Sequence, residues 1–269
     1  MSQLPVTAIE IADYTGILVG AAIALNALEQ LLFVRAGTGD LFSRWELLKL
    51  RFKATSGWFG QILGILFENG RFSGVLVFRL GTGALMVLCW YTGEFRSLSA
   101  GLVVIANSLF LLRSPYGTDG ADQMMQIICV ALFIGSIAGT DIGIKGALWF
   151  IAAQSVLSYF VSGFAKISSN TWRSGRALDG IFKTRMYGDQ WFDNYLSKKN
   201  GRAVLASWAV ILCQLSAPVW IFLGTDGAVA YIILFGTFHI LNAIFMGLPW
   251  FVVSFPIAYP AIYYVAATL

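Results

Sequence analysis

Apolar and polar positions in this chain fall in blocks rather than alternating singly. Apolar runs cover 11–34, 72–92, 98–112, 123–140, a stretch that ends at Lys166, then 203–223, 228–246 and 249–267. Most are close to the roughly 20 residues that an α-helix needs to cross a bilayer core, and none has the alternating pattern of about 10 residues that marks a membrane β-strand. The pattern predicts an all-α fold, a polytopic transmembrane helical bundle of about eight spans, as a single domain over 1–269. Residues 35–56 break the pattern, interleaving Trp45, Leu48, Leu50 and Phe52 with Arg44, Lys49, Arg51 and Lys53. They predict an interfacial amphipathic helix, which 57–68, too short to span, continues or follows as a half-helix. The longest polar insertion, 167–202, reads as a loop after the Lys166 helix, and its Trp172, Tyr187, Trp191 and Tyr195 read as an interfacial aromatic belt.

Composition removes the soluble alternatives. The 269 residues are 58% hydrophobic and 12% charged, with a mean hydropathy of +0.73, far from the values of soluble domains. The net charge of +4 does not indicate nucleic acid, because the basic residues are spread through loops and form no basic patch with exposed aromatics. Fourteen lie in loops that share one side under an eight-span reading, and two, Arg96 and Lys145, on the other. The imbalance predicts both termini outside. Cys89, Cys129 and Cys213 sit inside apolar runs with no CxxC spacing, so neither a zinc site nor a disulfide framework is expected. The first residues, MSQLPVTAIEIADYTG, have no basic region ahead of the apolar run and read as mature sequence rather than a signal peptide.

Polar residues at membrane depth are the candidates for chemistry, since each is costly there without a partner or a role. Asn26, Glu29 and Gln30 fall within about one turn and predict a shared face toward the bundle. Glu29 and Arg79 read as an intramembrane ion pair or as part of a proton path. Lys166 closes its span; it either snorkels to the interface or serves the site. His239, the single histidine, precedes Asn242 by three residues, so the two share a face. That face suits a head group, a bound water or a proton shuttle, or else a histidine capped by a backbone carbonyl. A lone histidine cannot supply bis-histidine haem ligation, and no metal site is expected.

The run Tyr159-Phe-Val-Ser-Gly163-Phe-Ala-Lys166-Ile, followed by Trp172, Gly175 and Ala177-Leu178, resembles the signature of the HTTM domain, the membrane domain shared with vitamin K-dependent gamma-carboxylase. Asp122 in DGADQMMQII, the Ala217-Pro218 step after Gln214, and His239-x-x-Asn242 ahead of Met246-Gly247-Leu248 are similar to that family in the same order, over about residues 75–265. The resemblance implies a membrane quinol as cofactor. Lys166 would then be the base that deprotonates it, and His239 and Asn242 would hold its oxygens or a developing anion. Trp172, Tyr159 and Gln214 would line the cofactor pocket. A desolvated lysine held as a neutral amine suits proton abstraction from a phenol-like hydroxyl. The sequence ends at Leu269, directly after the last span, which implies a short form without the lumenal domain, for which gamma-carboxylation of a protein is not expected. The family usually has an acidic residue where Gln214 stands. Short bacterial members imply the bacterial cytoplasmic membrane as location, and one of them serves in maturing a secreted peptide.

Three functions are therefore open at this point. One is a quinol- or lipid-using membrane enzyme with Lys166 as base. Another is a non-catalytic maturation factor or a subunit of a larger membrane complex, with a protein partner as well as membrane lipid. The last is a transporter or channel, which rests on Glu29 and Arg79 and lacks the internal repeats of such proteins.

Overall fold

The computed structural model describes residues 7–35, 45–51, 57–68, 71–113, 119–184, 187–197 and 201–269. Among the described residues, seven helices are long and apolar enough to cross a membrane, and Arg202–Leu215 is a shorter apolar one. The protein is an all-α integral membrane protein. Its contacts gather into two compact units, Met1–Ala147 and Leu148–Leu269.

In the first unit α1 (Ala8–Arg35) packs along α4 (Phe72–Thr92), α4 along α5 (Arg96–Arg113) and α5 along α6 (Gly120–Ala138), while α6 returns to α1. Small residues let the first pair approach closely. A Cβ on Gly83 would lie 2.8 Å from the Gly20 carbonyl oxygen, and one on Gly20 would lie 2.7 Å from that of Gly83. Backbones in direct contact gain dispersion and weak polar contacts where no hydrophobic effect acts between helices. Two short helices, α2 (Trp45–Leu48) and α3 (Trp58–Phe67), join this unit. Of the expected interfacial helix, 36–44 and 52–56 lie outside the described residues. In the remainder, Trp45 and Leu48 are buried against Leu63, Phe67 and Val75, while Leu50 is exposed.

The polar core of this unit differs from expectation. Glu29 is exposed and forms no ion pair with Arg79. Ala27 faces inward, and two residues on from it the helix has turned by about 200°, which carries Glu29 outward. Neutral amides hold Arg79 instead. Its Nη1 donates to Asn26 Oδ1 at 2.5 Å, and its Nε and Nη2 donate to Asn107 Oδ1 at 3.2 and 3.0 Å. Of the polar trio on α1, Glu29 is exposed, Asn26 and Gln30 are half-buried, and Asn26 reaches into the bundle through its bond with Arg79.

In the second unit, α7 (Asp141–Ser168, which begins in the first unit) is followed by three short helices, α8 (Asn170–Arg173), α9 (Arg176–Phe182) and α10 (Gln190–Ser197). The expected polar loop over 167–202 is thus largely helical. Leu178, Phe182 and Leu196 form a buried cluster with Trp172, Phe192, Phe245 and Met246 around it, and that burial offsets the cost of ordering a polar segment. Trp191, Tyr195 and Tyr187 remain exposed. Residues 185–186 and 198–200, with Arg185, Lys198 and Lys199, lie outside the described residues. The apolar run 203–223 is broken at Ser216 into α11 (Arg202–Leu215) and α12 (Ala217–Phe222), with Pro218 in the first turn of the second piece. Pro is tolerated there because the first-turn N–H groups have no intrahelical acceptor. The chain ends in α13 (Gly224–Met246), α14 (Pro249–Ser254) and α15 (Tyr259–Thr268).

Candidate functional site

Every residue that the sequence singles out for chemistry in the C-terminal half lies in the second unit. Two side-chain bonds align the helices that carry them. Ser155 Oγ and Tyr231 Oη are 3.1 Å apart, and the Tyr159 hydroxyl shares a hydrogen bond of 2.5 Å with His239 Nε2. Residue numbers rise together on both sides, so α7 and α13 run in the same direction. Lys166 lies eleven residues beyond Ser155, and Asn242 eleven beyond Tyr231. Eleven residues advance a helix by about 16 Å and return it to within about 20° of the same face. Lys166 lies seven residues beyond Tyr159 on α7 and Asn242 three beyond His239 on α13, so both are further toward the C-terminal ends of their helices than the Tyr159–His239 bond.

His239 is 1% exposed and Tyr159 3%, so their bond is closed to solvent and lipid. Aromatic rings enclose it: Phe235 stacks on Tyr159 at 4.0 Å between centroids, and Phe255 and Phe251 lie 4.6 and 5.8 Å from the imidazole. The other imidazole nitrogen, Nδ1, is buried without a partner among the described residues. So are Ser254 Oγ, next in sequence to Phe255, and Gln214 Oε1. The Tyr259 hydroxyl lies close enough to Tyr159 to feel it, without completing a hydrogen bond. Gln214 is brought in by Gly163, where a Cβ would meet the Leu215 backbone nitrogen at 2.9 Å and Gln214 Cβ at 3.0 Å. An unmade buried hydrogen bond costs about 1–3 kcal/mol, and such groups normally find a partner. Two of them, His239 Nδ1 and the Tyr259 hydroxyl, belong to rings beside Tyr159, and this marks the Tyr159–His239 pair as the chemically unusual part of the unit.

Lys166 is half-buried and differently placed. Its Nζ donates to the Ser162 carbonyl at 3.4 Å and stands 5.0 Å from the centre of the Trp172 ring. Among the described residues no carboxylate pairs with it. The Trp172 carbonyl accepts a 2.6 Å bond from Ser207 Oγ, and this anchors the ring's backbone to α11. The arrangement suits an ammonium, which the π-face and a helix C-terminus both attract. Asn242 is half-buried and its side-chain amide makes no hydrogen bond among the described residues, while its backbone oxygen accepts from Gly247 and Leu248.

Sequence reasoning did not single out Ser155, Tyr231, Phe235, Ser254, Phe255 or Tyr259 as part of this site. A signal for three of them was present, since Tyr231, Phe235 and His239 recur every four residues and so line one stripe of α13. In a run this apolar, aromatic residues at helical spacing do not stand out from ordinary core. Among the described residues no group of His, Cys, Asp and Glu is arranged to hold a metal. No family model, no curated protein and no solved structure matches the chain.

Proposed function

We propose that this integral membrane protein is an HTTM-type protein of the bacterial cytoplasmic membrane that takes the head of a lipid-soluble quinol or a related lipid in its second unit, with Lys166 as proton acceptor. The observation that carries the reading is the buried Tyr159–His239 bond with His239 Nδ1 left unpaired inside an aromatic enclosure. The residues fit such a group: His239 Nδ1 is without a partner among the described residues and is set among rings that favour a flat apolar ligand, and Gln214 Oε1 and the Asn242 amide are further polar groups of the same unit without a partner among the described residues. A bound quinol would supply ionisable, oxidisable hydroxyls.

The chain's own part is to orient and to accept a proton. The Tyr159 hydroxyl fixes the ring plane of His239, so that Nδ1 is held in one direction. Asn242, one turn along the same face, offers both a donor and an acceptor. Lys166 has no carboxylate partner among the described residues. The Trp172 face and the Ser162 carbonyl would hold the ammonium that forms once the neutral amine has taken up a proton.

The second reading, a non-catalytic accessory subunit, is favoured by one observation: the same Trp172 and Ser162 contacts satisfy a snorkelling lysine that does no chemistry. Mass spectrometry of lipids extracted from the purified protein separates the two. An isoprenoid quinone recovered with wild type and lost from His239→Ala supports the first; bulk phospholipid alone, with a stoichiometric protein partner, sinks it. With a turnover assay in hand, Lys166→Arg should be as inactive as Lys166→Ala, because an arginine stays protonated. Full activity of the arginine variant would assign Lys166 to charge alone.

A further inference from the structure

We infer that α8–α10 and the start of α11 form a docking surface for the head groups of anionic phospholipid, which makes the second unit selective for an anionic leaflet. The inference does not rest on the quinol reading, since it uses none of the side chains assigned to that pocket. Residues 167–202 hold seven basic side chains against three acidic ones, a net charge of +4 that equals that of the whole chain. The rest of the sequence is therefore neutral on balance. Two of the helices long enough to cross a membrane end at this segment. α7 stops at Ser168, just before α8, and α13 stops at Met246, where Phe245 and Met246 pack on the cluster of Leu178, Phe182 and Leu196. The ends of spans lie at the head-group level of a bilayer, so a charged surface held there meets lipid phosphates first.

The cations are free to reach such phosphates. Arg173 and Arg176 are exposed and Arg202 is half-buried. Each donates to a neutral atom: Arg173 to Asn170 Oδ1, Arg176 to Ser174 Oγ at 3.1 Å, and Arg202 to the Tyr195 carbonyl at 2.9 Å. Among the described residues no carboxylate pairs with any of the three, whereas Lys183 is held by Asp179 at 2.7 Å. Each guanidinium keeps further N–H groups, in a fork that matches a phosphate diester. Aromatic rings tie these charges to the end of a span. The Arg202 guanidinium lies 4.3 Å from the Tyr195 ring, Tyr195 stacks on Trp191 at 6.0 Å and 11°, and Trp191 stacks on Phe245 of α13 at 5.9 Å and 13°. Trp191 is 65% exposed and Tyr195 44%. The stack runs from apolar rings at the end of a membrane-crossing helix to a cation, the same order that the edge of a bilayer presents. A soluble acidic partner would meet the charges, but exposed indole and phenol rings at a span end fit lipid.

The test uses the full chain purified in detergent and stripped of lipid, with thermal unfolding followed as phosphatidylglycerol or phosphatidylcholine is added in mixed micelles. A saturable rise in the unfolding midpoint with phosphatidylglycerol, weakened by salt and absent with phosphatidylcholine, is the expected result. Arg173→Gln combined with Arg176→Gln should raise the half-saturating mole fraction of phosphatidylglycerol about tenfold. Arg71→Gln combined with Lys145→Gln removes the same net charge from exposed positions of the first unit and should leave that mole fraction unchanged. No rise with phosphatidylglycerol, or equal rises with the two lipids, would overturn the inference. So would an undiminished response in the Arg173 and Arg176 variant, or equal weakening in both double variants, which would reduce the effect to net charge. A rise of the same size with glycerol phosphate or heparin would also overturn it, because the surface would then fit a soluble anion rather than a leaflet.

Discussion

At the scale of single residues, what decides the behaviour of a polar side chain here is whether its partner is also a side chain of the bundle. Tyr159→Phe keeps the ring stacked on Phe235 but removes the hydroxyl from His239 Nε2, leaving both imidazole nitrogens unpaired. The variant should lose about 1–3 kcal/mol of stability, read as a lower unfolding midpoint in detergent. Asn107 holds Arg79 through two bonds and passes a third to Gln126. Asn107→Ala should cost about 3 kcal/mol or more, since a buried charge loses its acceptors. Glu29→Gln, on the exposed side of α1, should change stability by less than about 0.5 kcal/mol. The contrast between the last two checks directly that amides, and not Glu29, compensate Arg79. In the sequence, Glu29 was the natural partner by charge, and Asn26 and Asn107 carried no charge to draw attention. Residue type reports what a group requires, while the rotation of its helix about the axis decides what it meets.

At the scale of elements, close approach is a property of pairs of helices. Gly20 and Gly83 bring the α1 and α4 backbones into contact, and neither glycine alone signals this, because small residues are common along all the spans. Gly83→Val should separate the two helices and cost about 1–3 kcal/mol or more, measured as a fall in unfolding midpoint that Gly81→Val, with open space around it, does not show. The short helices α8–α10 show how an element escapes a reading by hydropathy. Their apolar residues are too few for a span, yet Leu178 and Phe182, four apart, and Leu196 meet in one cluster. A cluster assembled from separate turns has no continuous run to mark it. The break at Ser216 is the reverse case: one apolar run holds two helices, because Pro218 starts the second.

For the molecule as a whole, α7 is the element that sets topology. It is 28 residues long, about 42 Å, enough to carry the chain from one side of the membrane to the other. Lys145 is near its first turn and Lys183 lies beyond its end in α9's cap. With the basic loops on the inner side, Lys145→Cys should react with a membrane-impermeant maleimide in intact cells, and Lys183→Cys only after permeabilisation. The opposite pattern would invert the orientation, and equal labelling would mean that α7 does not span. The class of the protein, the approximate number and limits of its spans, and the place of Lys166 at the end of its span were all determined by the sequence. Those features depend on the transfer of apolar runs from water, which is additive along the chain. Only the tertiary structure decided that Tyr159 bonds His239, that Lys166 rests on Trp172, and that amides surround Arg79. Each of these depends on the register and rotation of one helix against another, and packing sets both through contacts between residues far apart in the chain.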